Sequence, residues 1–173
     1  MEPEDKPIVR QSNPKPKSKQ DPPAERGKKI REIMGPLGKL HNLVVHIRGS
    51  ANRTTWFVEK AKRSIPLNNR TRWNSWFHML DVALDSKIRH GLMLYTEHYQ
   101  ADIAKEDLLT TDDWRQLRTI HNFLQGFHDA TLYLEGNRTT LERVLTSMTA
   151  IERMIDKAKV CRTIAKFYFT NYF

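Results

Sequence analysis

"RTRWNSWFHML", residues 70–80, sets two of the chain's four tryptophans behind a pair of arginines. Trp73, Trp76, Phe77 and Leu80, continued by Leu84, recur at spacings of three and four, the repeat that places side chains on one face of an α-helix. The stretch reads as a helix that starts at a basic loop and turns an aromatic face inward. Core packing is the ordinary fate of such an indole. A second use is open to its first turn: the Arg72 guanidinium on a phosphate and the Trp73 indole against an unstacked base.

Helical periodicity extends to both sides. Toward the N-terminus, Leu37, Leu40, Val44 and Ile47 form one stripe behind Pro36, a residue suited to a first helical turn, and Gly49 with Ser50 stops it. "ANRTTWFVEKAK", residues 51–62, predicts a second helix, and Pro66, Asn68 and Asn69 a loop. Toward the C-terminus, Asp85 and Ser86 break and recap the chain before a stripe of Ile88, Leu92, Tyr95 and Tyr99 that ends near Gln100. Thr110 or Thr111 is placed to cap the next helix, with Asp112 and Asp113 at the positive end of its dipole. That helix carries Trp114, Leu117, His121, Leu124 and His128, and Glu135, Gly136 and Asn137 end it. Thr139 with Glu142 reads as a capping box before Leu141, Val144, Met148, Ile151, Ile155 and Ala158. No β-alternation of useful length occurs. The expected fold is all-α: an irregular bundle of about five to seven helices over residues 28–173.

Residues 1–27 differ in kind. They hold six of the eight prolines and almost no large apolar residues, so burial cannot offset the entropy of ordering them. A disordered basic, proline-rich tail is expected there. Its "KPKSK" and "RGKK" have the composition of a nuclear address, although solvated lysines are the simpler reading. At the other end, "VCRTIAKFYFTNYF" puts five aromatics into its last seven residues, a segment that needs cover from further chain or from another copy.

The 173 residues suit one domain. No apolar run approaches the roughly 20 residues of a membrane span, and no secretory signal is visible. The lone Cys161 excludes an internal disulfide and a cysteine zinc site, and fits a reducing compartment, nucleus or otherwise cytoplasm. Sequons at Asn52 and Asn137 are then chance matches. Net charge is +9, unevenly spread: residues 36–100 carry ten Lys or Arg against four acids, residues 101–173 ten of each. The basic half thus points to polyanions, and Lys60, Lys62, Arg63, Arg70 and Arg72 gather around one loop.

No reaction is legible. The seven histidines show no His-Glu-x-x-His spacing, and His41 and His46 lie five apart, on different helical faces. There is no Gly-rich phosphate loop and no Gly-x-Ser-x-Gly elbow. Asp112 and Asp113 invite a two-metal reading, but neighbours on a helix diverge by about 100 degrees, which favours capping. No catalytic residue, metal ligand or cofactor is expected.

Four blocks, "GPLGKLHNLVVHIRGS" from Gly35, "TRWNSWFHMLDVAL" from Thr71, "LTTDDWRQLRTIHNFLQGFHDATLYLEG" from Leu109 and "TTLERVLTSMTAIERMI" from Thr139, resemble in order a segment of fungal DNA transposases of the hobo and Activator (hAT) superfamily. The resemblance covers roughly residues 35–156. In that family a ribonuclease H-like core cuts and joins DNA with three acids and divalent metal, and a helical domain is inserted between the second acid and the third. The resemblance implies the end of the core and the start of that insertion, with the acids outside this sequence and hence no catalysis by the chain alone. It implies further that Arg72 and Trp73 lie close to the cleaved DNA end and that Trp114 is structural. The expected function is a transposase-derived helical fragment with weak, non-specific DNA binding through Arg72, Trp73, Arg70, Lys60, Lys62 and Arg63. The alternative is an oligomerisation module, pairing copies through Leu141, Met148, Ile155 and the aromatic C-terminus.

Overall fold

The computed structural model describes residues 22–68, 72–135 and 140–160. Among them are seven α-helices and no strand: α1 (Pro23–Met34), α2 (Pro36–Arg48), α3 (Ala51–Ala61), α4 (Trp73–Ala83), α5 (Ser86–His98), α6 (Thr111–Leu134) and α7 (Leu141–Val160), with a single 3-10 turn at Lys105–Asp107. The all-α expectation is met.

The N-terminal boundary needs correction. Helix α1 begins at Pro23, inside the stretch expected to be tail, while residues 1–21 fall outside the described residues. Pro23 suits a first helical turn and Glu25 meets the positive end of the dipole. The helix ends at Gly35, whose φ of 54° is a conformation that a residue without Cβ adopts freely. Gly35 also precedes Pro36 at the first position of α2, so one residue closes α1 and opens α2. Periodicity does not reveal α1, because none of its described side chains is fully buried: Ile30 and Met34 are half-buried and Ile33 is exposed.

The two helices run antiparallel. Asn42 Nδ2 donates to Gly27 O at 2.9 Å, and Gly38 sits against the backbone of Ile30 and Arg31. Arg31 Nη1 donates to Asp107 Oδ1 at 2.6 Å and Asn42 Nδ2 reaches the same oxygen at 2.9 Å, tying α1 and α2 to the 3-10 turn.

Helix α2 is the hub, packed against α1, α3, α6 and the 3-10 turn. Its predicted stripe is buried, joined by Leu43. The opening motif gives α4, which buries Trp76, Phe77, Met79, Leu80, Val82 and Ala83. Trp73 and Leu84, at its two ends, are only half-buried. Asp85 caps α5 by accepting from Lys87 N at 2.9 Å and Ile88 N at 3.3 Å. Gly91 of α5 meets Ala61 of α3, so these helices approach closely.

The cap of α6 is Thr110: its hydroxyl accepts from Asp113 N at 3.2 Å while Asp113 Oδ2 accepts from Thr110 N at 2.8 Å. Asp113 is buried and also accepts from Lys39 Nζ at 2.8 Å, which links α6 to α2. Burial alone would raise its pKa, but the bonds from Lys39 and from the Thr110 amide and hydroxyl outweigh it and hold the carboxyl below the usual range. Asp112 is exposed and bonds within its own helix, to Arg115 and Gln116. The two aspartates therefore do helix-terminal work, as their spacing suggested. Phe77 stacks between the imidazoles of His121 and His128, at 5.1 and 4.6 Å, which seats α4 on α6.

The cap expected of Thr139 lies outside the described residues. Thr140 Oγ1 accepts from Arg143 N at 3.4 Å at the start of α7. The predicted stripe of α7 splits: Ala158 is buried, Val144, Ile151 and Ile155 half-buried, and Leu141 and Met148 exposed, while Ser147, outside the stripe, is buried. Leu145, outside the stripe, is exposed as well. A pattern of threes and fours cannot say which flank of a wide stripe meets the neighbour.

Candidate nucleic-acid interface

The cations around the opening motif are placed by a segment that leaves α3 and returns to α4. Lys62 closes α3 in the left-handed conformation, φ 61° and ψ 6°. Ile65 is buried, and its carbonyl accepts from Arg48 Nη1 at 3.3 Å. Asn68 is buried too, with Oδ1 in hydrogen-bond contact with His41 Nδ1. Arg48 and His41 are seven residues apart on α2, roughly 10 Å at 1.5 Å per residue. The segment therefore runs back along α2 as an anchored strap.

The candidate residues fall at its two ends rather than in one cluster. Lys60, Lys62 and Arg63 stand at the α3 end and Arg72 at the α4 end. All four are exposed, and none forms an ion pair among the described residues. Lys60 Nζ lies 5.9 Å from the centre of the Trp56 ring. Arg72 occupies the cap position of α4, where its carbonyl accepts from Ser75 N at 3.0 Å and Ser75 Oγ at 2.6 Å, leaving its side chain outside the helix. Arg70 lies outside the described residues. Trp73, the first residue of α4, is half-buried with its ring 6.3 Å from that of Phe127 on α6. Trp114 is buried beneath the Arg89 guanidinium, 5.0 Å from its ring centre.

Sequence reasoning missed the aromatic cluster joining α2, α3 and α5. Trp56 and His98 stack at 4.7 Å, and both rings contact Tyr99. Arg53 Nη1 donates to His46 Nε2, and His46 Nδ1 meets the Tyr95 hydroxyl at 2.9 Å. A guanidinium has no acceptor, so the proton of the neutral ring sits on Nδ1. Burial first, then the Arg53 charge, push His46 below its ordinary pKa against the opposing pull of Asp102. Burial pushes Tyr95 up to about 12. These partners lie on separate helices, so no local spacing announces them.

Among the described residues no group of three or more His, Cys, Asp or Glu gathers to hold a metal, and no helix is long and apolar enough to cross a membrane. Fold and surface define an all-helical domain with exposed cations at both ends of an anchored strap. A family model for the ZBED1 RNase-like helical domain matches residues 27–123, and the chain belongs to that family, a domain derived from hAT-related transposases. The match opens inside α1 and closes midway along α6, so it takes in the strap and α4. No curated protein and no solved structure matches the chain.

Proposed function

We propose that the chain is a transposase-derived helical module that binds DNA without sequence preference in the nucleus, and that it has no strand-transfer activity by itself. The observation that carries this reading is the set of exposed cations, Lys60, Lys62, Arg63 and Arg72, that form no ion pair among the described residues and stand at the two ends of the strap. Anchoring through Ile65 and Asn68 presents the cations without a large ordering cost on binding. The partly exposed Trp73 beside Arg72 suits contact with a distorted or unpaired base. Arg70 joins the proposed set on its sequence position alone.

Fluorescence anisotropy on a DNA duplex across a salt series tests the reading. Four phosphate contacts give a slope of log affinity on log salt near −3.6, from about 0.9 per contact. Alanine at Lys60, Lys62, Arg63 and Arg72 together is expected to flatten it. Absence of binding at low salt, or a slope that the four alanines leave unchanged, would refute it.

A second reading has its own observation. Leu132, Tyr133, Leu141, Leu145 and Met148 are 55, 47, 75, 56 and 61 % exposed, and all lie where the end of α6 meets the start of α7. Such an apolar tip suits self-association, in which Leu141 and Met148 contribute directly and Ile155 supports α7 from a half-buried position. Sedimentation separates the readings. A dimer that ignores DNA and dissociates in Leu145→Glu with Met148→Glu favours this one.

A further inference from the structure

Beside α1 lies a cleft of about 830 Å³, walled by α1, by α2 and by residues 102–107. Its lining is of two kinds. Ile30, Ile33, Leu43 and Val45 supply apolar surface, and Ile33 and Val45 are 42 and 44 % exposed. Arg26, Lys28, Lys29 and Arg31 supply positive charge against two acids, Asp102 and Asp107. Arg31 and Asp107 offset one another and Lys28 lies 3.9 Å from Glu32, and the lining as a whole keeps an excess of cations over acids beside its apolar residues.

We propose that this cleft docks an acidic amphipathic segment of a partner protein, with its apolar side chains against Ile33 and Val45 and its carboxylates toward the cations of α1. Charge complementarity selects the sign of the occupant, and the apolar lining selects its class. A nucleic-acid backbone meets the cations equally well but leaves the apolar residues wet and offers them nothing. A segment with leucines at one-turn spacing between glutamates satisfies both, and the volume lies within the range of sites that enclose a ligand. The cleft and the strap meet at one residue, His41, which lines the cleft and anchors Asn68; otherwise the cleft sits on α1 and on the face of α2 turned toward α1, whereas the strap runs from Arg48 on α2 and ends at α3 and α4.

The probe is a fluorescein-labelled 15-residue peptide with leucines at positions i, i+3, i+4 and i+7 and glutamate or alanine elsewhere, titrated with the full chain. Ile33→Ser with Val45→Ser changes no charge and replaces exposed side chains, so the fold is retained, as circular dichroism will verify. This pair is expected to weaken the peptide about tenfold and leave DNA affinity unchanged. Arg26→Glu with Lys29→Glu is expected to weaken it at least as much, and a peptide with alanine for leucine to bind more weakly still. Amide shift mapping of the unaltered chain supplies a readout free of mutation, with changes expected over residues 24–33, 42–46 and 102–107. Peptide affinity unaffected by both double variants, shifts confined to the strap, or full displacement of the peptide by a DNA duplex overturns the proposal. Failure of DNA binding with peptide binding intact would sink the DNA reading alone.

Discussion

Three glycines face neighbouring helices through different kinds of atom, so one substitution, Gly→Ala, is expected to have three different outcomes. At Gly38 an added Cβ would lie 2.5 Å from Ile30 O and 2.8 Å from Arg31 Cα, backbone atoms that cannot rotate aside. Ordinary contact begins near 3.4 Å, so α1 must retreat by about 0.9 Å, the difference between 3.4 and 2.5. Two of the contacts that hold α1, Asn42 to Gly27 O at 2.9 Å and Arg31 to Asp107 at 2.6 Å, then stretch to about 3.8 and 3.5 Å, at or beyond hydrogen-bond range. Their loss costs about 1 and about 2 kcal/mol, and the helix propensity of alanine returns about 1 kcal/mol.

The net of about 2 kcal/mol acts on docking of α1 and not on the core, because none of the described side chains of α1 is fully buried. Hydrogen exchange read by mass spectrometry should show protection over residues 23–34 falling roughly thirtyfold in Gly38→Ala, with α4 unchanged. Gly91→Ala is the core counterpart. Its Cβ would lie 2.7 Å from Ala61 Cβ, so overpacking of about 1–3 kcal/mol should lower the melting temperature and exchange protection throughout. At Gly126 the obstacle is the flexible end of Met154, in a seam with open volume beside it, so alanine there should be neutral or stabilising by up to about 1 kcal/mol. Unchanged α1 protection in Gly38→Ala, or the same response from all three variants, refutes the reasoning.

Asp113→Asn keeps the shape of the α6 cap but removes the charge that Lys39 meets, and should cost about 1–3 kcal/mol at neutral pH by urea denaturation. The folded carboxyl titrates below 3.8, so its contribution is full above that value and fades as pH falls through the folded pKa; the variant's stability should therefore vary less with pH below about 4. His46 is likewise lowered, from 6.5, so its contribution is full above 6.5 and declines on acidification toward the folded value, as protonation sets a second cation against Arg53. His46→Gln should flatten denaturation midpoints measured from pH 7 to pH 5. Lys62→Gly relieves a non-glycine residue at φ 61° and should raise the melting temperature, by about 1 kcal/mol of stability, while reducing the salt slope of DNA binding by about 1. A slope that does not change would remove Lys62 from the interface.

What the sequence displays well is what repeats within one helix. The stripe of α2 and the aromatic face of α4 rest on residues three or four apart, the Asp85 stop and the α6 start on neighbouring capping residues, and each stands in the structure close to where that local pattern put it. Helix α1 was hidden because it docks by polar contacts: Arg31 finds Asp107 across 76 residues and Asn42 finds it across 65, separations that leave no local pattern. For the same reason the sequence named Lys60, Lys62, Arg63 and Arg72 but not their arrangement, because the strap depends on His41 and Arg48 reaching forward to Asn68 and Ile65. The sequence left Trp73 between packing and recognition, and its half-buried position beside Phe127 suits it to packing while leaving surface exposed.

The two proposed surfaces differ in how they are supported, and that difference governs how each can respond. The strap is pinned to α2, whose inner face is the centre of the core, so Ile65 and Asn68 keep their places until the domain itself unfolds. The α1 cleft is walled on one side by a helix held through Asp107, Asn42 and close packing at Gly38. Elements of low local stability open far below the free energy of global unfolding, and a ligand that bridges α1 and α2 stabilises the docked form by mass action. Occupation of the cleft should therefore slow exchange across residues 23–34, with His41 the one strap contact that it reaches. DNA on the strap should leave α1 exchange untouched, because its cations contact neither Asp107 nor Asn42.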